Sequence, residues 1–122
     1  MLFETRYFWA RFTPTSSEQL EKLKALFDQS RDRFVSSITI YEIFKLSMEK
    51  EGRDVADLRA SIIESEFDVV SVDGEIAREG ARFSAKLRIP MGDALIMATA
   101  KKLQVACVTD DPHFTEVRRV WV

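Results

Sequence analysis

A chain of 122 residues fits the size of one domain, and 46% hydrophobic with 31% charged residues is too apolar and too well mixed for a disordered tail. The 18 basic and 20 acidic residues leave a net charge of −2, which excludes a strongly basic nucleic-acid coat protein but not a nucleic-acid substrate. A single cysteine, Cys107, excludes an internal disulfide framework. No apolar run approaches the ~18 residues of a membrane span, and Glu4 and Arg6 near the start do not fit a signal peptide. The expectation is one soluble, cytoplasmic domain over 1–122 without a membrane partner.

Leu2-Phe3 suggests the end of a very short strand. Leu20, Leu23, Leu26 and Phe27 recur at helical spacing, with Ser16 or Ser17 placed to cap the start and Glu18 in the first turn. Phe34 to Ile38 is β-prone, and the following Ile40, Ile43, Phe44 and Met48 form a helical stripe that Gly52 ends. Asp54 opens a further helix with Val55, Leu58, Ile62 and Ile63 inward. Phe67 to Val72 is a β-prone run. Asp73 then caps a helix whose Ile76, Ala77, Phe83 and Leu87 face the core. Pro90 breaks the chain before a strongly apolar helix that starts around Gly92-Asp93; strands follow at 104–108 and 117–122. Strands alternating with helices predict an α/β domain on a mainly parallel sheet. The link between the last two strands is too short for a helical crossover, so it should be irregular.

In a parallel sheet ligands bind beyond the carboxyl ends of the strands, so the polar residues that follow each strand carry the information. Glu4 follows Leu2-Phe3, Glu42 lies four residues after Ile38, and Asp110 and Asp111 follow Thr109. Asp93 stands at the start of the apolar helix. These carboxylates are expected to converge at one rim. An oxygen-only cluster suits a hard cation, Mg²⁺ or Mn²⁺, whereas a structural zinc site would want Cys and His ligands the chain lacks, and a Ser–His–Asp or Cys–His arrangement has only His113 to use and is disfavoured. No GxGxxG or GxxxxGK[ST] loop occurs, which disfavours dinucleotide or P-loop nucleotide binding. Crowded carboxylates repel one another unless a cation joins them, and a bound cation is suited to attack on a phosphodiester.

Three segments resemble the PIN domain, the metal-dependent ribonuclease fold of VapC-type toxins: Pro90-Met-Gly-Asp-Ala-Leu-Ile-Met-Ala-Thr-Ala100, Val108-Thr-Asp-Asp-Pro-His-Phe114 and Ser37-Ile-Thr-Ile-Tyr-Glu42. The resemblance implies a three-layer α/β/α domain with about five short strands. It also implies a metal-dependent endoribonuclease whose acids Glu42, Asp93 and Asp111 match three of the family's four positions. At the first position the family has aspartate, and this chain has Glu4, whose extra methylene moves the carboxylate by roughly 1.5 Å. Glu4, Glu42, Asp93 and Asp111 are thus the expected catalytic and metal residues, with Asp110 as a further ligand or turn former and Thr5, Ser37 and Thr109 in support. The resemblance further implies an RNA substrate, a cognate antitoxin and a homodimer. The rival reading is a PIN-fold RNA-binding or protein-interaction module whose nuclease activity is weakened or lost through Glu4.

Each residue also has a plainer role. Asp93 fits helix capping, Glu42 a solvated helix face and Asp110-Asp111 a turn before proline. His113 reads as a surface or packed histidine and Cys107 as a small core residue. Most of Tyr7, Phe8, Trp9 and Phe12 fit core packing or subunit contact better than a stacking surface for RNA. Residues 74–102 carry six bases against three acids, and Arg78, Arg82 and Lys86 share a helix face. Arg82 and Lys86, with Arg6 and Arg11 close to the acids in sequence, are the candidates for contact with RNA phosphates. Residues 42–68 carry eight acids and four bases and read as surface away from RNA or facing an antitoxin.

Overall fold

A computed structural model describes residues 1–122. Strands β1 (Leu2–Phe3), β2 (Phe34–Ser36), β3 (Asp68–Val70), β4 (Cys107–Val108) and β5 (Arg119–Val120) form one wholly parallel sheet in the order β3-β2-β1-β4-β5. Helices α1 (Thr5–Phe12), α2 (Ser17–Gln29), α3 (Ser37–Glu51), α4 (Arg53–Glu66), α5 (Gly74–Leu87) and α6 (Met91–Leu103) complete three α/β/α layers. No helix is long and apolar enough to cross a membrane.

The strands are only two or three residues long, yet their alternation builds both cores. Leu2 and Cys107 point into a cluster with Ile76, Phe83, Met97 and Phe114. Phe3 and Val108 point the other way, into a cluster with Tyr7, Phe8, Leu23, Ile43 and Phe67. Central β1 is therefore fully buried on both faces, which is why a two-residue strand suffices. Phe67 anchors the second core: the rings of Phe3, Phe8 and Phe27 meet it edge-on at 5.2, 4.8 and 5.4 Å. Such pairs add ~0.5–1.5 kcal/mol each beyond area burial.

Local chemistry sets the helix ends. Ser16 accepts from the Gln19 amide and Asp73 from the Ile76 amide, capping α2 and α5. Gly52, at φ +92°, turns the chain between α3 and α4, a conformation that favours glycine. Two core expectations fail. Leu58 is 61% exposed and Ala77 also faces solvent. The reason at Leu58 is that α4 packs on α3 and turns Ala56, Arg59 and Ile63 inward. Arg59 is buried there because Ser47 Oγ accepts its N–H at 3.1 Å and Glu51 pairs with it at 2.8 Å. On α5 the buried stripe is Ile76, Gly80 and Phe83, and Gly80 allows close approach to Leu95 of α6. The β4–β5 link, residues 109–118, is helix-free and irregular, as its length predicted.

Candidate metal centre

The chain leaves β1 towards β2 and β3 on one side and returns to β4 and β5 on the other, so the strand order reverses at the centre of the sheet. Glu4, Thr5 and Thr109 emerge there at the carboxyl ends of β1 and β4. Glu4 is the N-cap of α1: its Oε2 accepts from the Arg6 amide at 3.0 Å, while its Oε1 accepts from the Thr109 hydroxyl at 2.6 Å. The carboxylate is 2% exposed. Burial raises its pKa from the ordinary 4.5 to about 7, opposed by the Thr109 and Arg6 hydrogen bonds and reinforced by the charges of Asp93 and Asp111.

Glu42 projects from α3 towards the same place. Its Oε1 accepts from the Thr5 hydroxyl at 2.6 Å, and Thr5 Oγ1 also bonds Thr39 Oγ1 at 3.1 Å. Burial raises the Glu42 pKa, and the nearby Asp93 charge adds to that effect. Across from it, α6 starts without a methyl group in the way: a Cβ on Gly92 would lie 2.9 Å from Glu42 Oε2. The missing side chain lets α6 bring Asp93 beside Glu42.

Asp93 is in the first turn of α6 but does not cap it; Pro90 holds the cap position. Its Oδ2 instead lies 3.0 Å from His113 Nδ1, which also lies 3.3 Å from Asp111 Oδ1. Ligand atoms of Asp93, Asp111 and His113 all fall within 4.8 Å of one another. Burial raises the Asp93 pKa, with the His113 bond opposing and the Asp111 charge reinforcing that effect. Asp111 is fixed by backbone bonds: its amide donates to Thr109 Oγ1 at 3.0 Å and its Oδ1 accepts from the His113 amide at 2.9 Å.

The structure brings ligand atoms of Asp93, Asp111 and His113 together, and sets Glu42 and Glu4 on the same rim through Thr5 and Thr109, outside that tight group. The donor set fits a hard divalent cation: several carboxylates share one partly buried rim, and the raised pKa values report repulsion and desolvation that a cation would relieve. Thr5 and Thr109 lie where support was expected. Ser37 does not bond the acids; its neighbour Ser36 caps α3. Asp110 does not join the cluster either, because it turns outward into an ion pair with Arg6. That pair sits in a cleft of about 530 Å³ also lined by Trp9, Thr13, Leu46 and Trp121.

The expectation for Arg11 is corrected. Five residues at ~1.5 Å rise carry it ~7.5 Å along α1 from Arg6. There it pairs with Glu66 at 3.3 Å beside the start of β3 and stacks on Phe27, at the opposite end of the sheet from the acids. Arg82 and Lys86 stay exposed on α5, paired with Glu79 at 2.7 Å and Glu116 at 3.3 Å. Tyr7 and Phe8 are core residues, and Cys107 is buried with its thiol pKa pushed up by burial. Sequence reasoning missed His113 and Gly92. The signal for His113 was its place two residues after Asp111; that for Gly92 was its place beside Asp93 at a helix start.

Residues 6–120 match the family model described as PIN domain. Comparison with curated proteins gives no match. Among solved structures, VapBC2 from Rickettsia felis bound to a DNA fragment from its promoter is similar at TM-score 0.79 and 14% identity, covering 99% of this chain and 97% of that one. VapC20 from Mycobacterium tuberculosis, described as a sarcin-ricin loop cleaving toxin, is similar at TM-score 0.76 and 17% identity, covering 95% and 94%. FitAcB from Neisseria gonorrhoeae is similar at TM-score 0.77 and 20% identity, covering 97% and 94%. At these identities the likeness shows the fold, and the family model, spanning nearly the whole chain, shows the family. With the three-layer fold and its parallel sheet in agreement, the chain belongs to the PIN domain family.

Proposed function

We propose that the protein is a metal-dependent endoribonuclease that hydrolyses RNA phosphodiester bonds, and the toxin of a toxin–antitoxin pair. The observation that carries this reading is the close grouping of Asp93, Asp111 and His113, with Glu42 and Glu4 on the same rim, at the reversal point of a PIN-family sheet. Among similar structures, one is described as a loop-cleaving toxin and another as a toxin–antitoxin complex, from Klebsiella pneumoniae.

Asp93 and Asp111 would hold Mg²⁺ or Mn²⁺, with Glu42 and Glu4 completing the carboxylate set. When bound, such a cation supplies Lewis acidity: it lowers the pKa of water and offsets charge on the phosphate. The chain's own groups do the rest. Thr5 and Thr109 hold the Glu42 and Glu4 carboxylates in place, which limits reorganisation on binding. Arg6 stands between the acids and the tryptophan-lined cleft, where it can meet a flanking phosphate if it leaves Asp110. Arg82 and Lys86, exposed on α5 and paired with Glu79 and Glu116, are the further candidates for phosphate contact.

An antitoxin protein and a second copy of this chain are the proposed protein partners. Tyr41 and Met48 of α3, 62% and 52% exposed beside Ile40 and Phe44, offer an apolar surface suited to such a contact.

The rival reading, a PIN-fold binding module without cleavage, is favoured by one observation: both Glu4 oxygens already accept hydrogen bonds. Cleavage of a generic RNA with Mg²⁺ or Mn²⁺ separates the two. The expected result is cation-dependent cutting that Asp93→Asn abolishes. No cutting with either ion, not restored by Glu4→Asp, would refute the nuclease and leave the binding module.

A further inference from the structure

We propose that His113 coordinates the divalent cation directly through Nδ1, as a nitrogen donor among carboxylates, and that it tilts the centre towards Mn²⁺ over Mg²⁺. The inference rests on the metal-centre reading above and adds a ligand that the sequence patterns did not assign. Its basis is where the imidazole stands. Nδ1 lies 3.0 Å from Asp93 Oδ2 and 3.3 Å from Asp111 Oδ1, so it faces the same small space as those carboxylate oxygens. In the metal-free protein Nδ1–H donates to Asp93; a cation between Asp93 and Asp111 would displace that proton to Nε2 and meet the freed Nδ1 lone pair.

The ring is held there by the chain, not by chance contact. The His113 amide donates to Asp111 Oδ1 at 2.9 Å, and the next residue, Phe114, is 1% exposed in the core. Arg119 Nη1 donates to the Asp111 carbonyl at 3.2 Å, and the Phe114 amide bonds the same carbonyl at 3.3 Å. The turn therefore has backbone bonds on one side and a buried aromatic anchor on the other. Its geometry brings the imidazole to the acids while leaving the ring half-exposed.

An imidazole changes which ion the centre prefers. Mg²⁺ favours oxygen donors and sheds water reluctantly, whereas nitrogen donors gain strength from Mn²⁺ onward through the first-row divalent ions. An all-carboxylate set favours neither strongly; replacing one oxygen by nitrogen favours Mn²⁺.

The chain contains one histidine, so an imidazole signal has one source. The test uses the untagged full chain with Mn²⁺ alone as probe, read by pulsed electron paramagnetic resonance for nitrogen coupling, and by calorimetric titration with Mn²⁺ and with Mg²⁺. The wild type should show the coupling of a directly bound imidazole. His113→Asp places an oxygen where Nδ1 stood; it should bind Mn²⁺ without the coupling and lower the Mn²⁺-to-Mg²⁺ affinity ratio at least about tenfold, the scale of losing one tuning contact at a metal. His113→Ala, at a half-exposed position, should keep the fold by thermal unfolding and also lose the coupling. Mn²⁺ that binds in an Asp93-dependent way without nitrogen coupling, or with an unchanged affinity ratio in His113→Asp, overturns this inference alone. No Mn²⁺ binding to the wild type overturns it together with the metal-centre reading beneath it.

Discussion

Glu4→Gln should leave the metal-free protein near parity with the wild type at pH 5 and make it about 2 kcal/mol more stable at pH 8. The argument starts from a carboxylate that is 2% exposed and whose pKa is raised by burial from 4.5 to about 7. Between those values the unfolded chain has released a proton that the folded chain retains, so raising the pH favours unfolding; above about 7 both states are ionised and the loss is complete. At ~1.4 kcal/mol per pH unit the full loss is roughly 3 kcal/mol. Glutamine carries no charge to bury, but its amide nitrogen cannot accept, so it cannot replace the carboxylate oxygen that takes either the Arg6 amide or the Thr109 hydroxyl. One hydrogen bond is lost, at about 1 kcal/mol. The difference leaves the variant ahead by about 2 kcal/mol at high pH, a rise in Tm of roughly 6–10 °C for a domain of this size. Urea unfolding in the presence of a chelator, at pH 5, 6, 7 and 8, measures it. A stability difference that stays constant across that range would refute the reasoning, because it would mean that Glu4 titrates alike in both states.

Mn²⁺ or Mg²⁺ should raise the wild-type Tm more at pH 8 than at pH 5, since the cation relieves repulsion between carboxylates that are ionised at the higher pH; a thermal scan with equal rises at both would count against a shared site. Thr109→Val should cost about 2–4 kcal/mol in urea unfolding, because it strips a donor from Glu4 and an acceptor from the buried Asp111 amide, while Thr109→Ser stays within about 1 kcal/mol. Gly92→Ala forces Glu42 Oε2 away from a Cβ at 2.9 Å; it should shrink the Mn²⁺-induced rise in Tm, and an unchanged rise would show that α6 does not position Glu42. Gly80→Ala, whose Cβ would meet Leu95 Cδ2 at 2.8 Å, should lose roughly 1–3 kcal/mol by urea unfolding.

Most of the fold was legible because the helix ends carry explicit chemistry. Ser16, Asp73 and Gly52 mark α2, α5 and the end of α3. The two-residue strand at Leu2-Phe3 was legible only as a hint, since its centrality comes from pairing with β4 across the whole chain. Leu58 was misassigned because a periodicity argument lets leucine outrank arginine, and it cannot foresee that Ser47 and Glu51 make Arg59 the buried residue. Arg11 was misassigned because nearness to Glu4 in sequence is undone by two turns of helix. The acids themselves were readable as residues that follow strands. What put His113 beside them is a turn closed by the Asp111 carboxylate and anchored by Phe114, and no local pattern of hydrophobicity records that. Asp93 was readable as a metal residue with capping as its plainer role; its freedom from capping follows from Pro90 taking the cap position.

The parallel pairing of β1 with β4 has a consequence for when the site can exist. Glu4 takes its hydroxyl partner from Thr109, and the fourth acid is Asp111, so nothing made from the first hundred residues contains the centre. Ribosomes add ~5–20 residues per second, which means a nascent chain carries Glu4 and Glu42 for several seconds with neither held in its final environment. A product that stalls before Thr109 would bear at most three of the four carboxylates and no working arrangement of them. For a chain proposed to cut RNA, including the RNA around its own ribosome, the need to translate through Asp111 acts as a built-in delay.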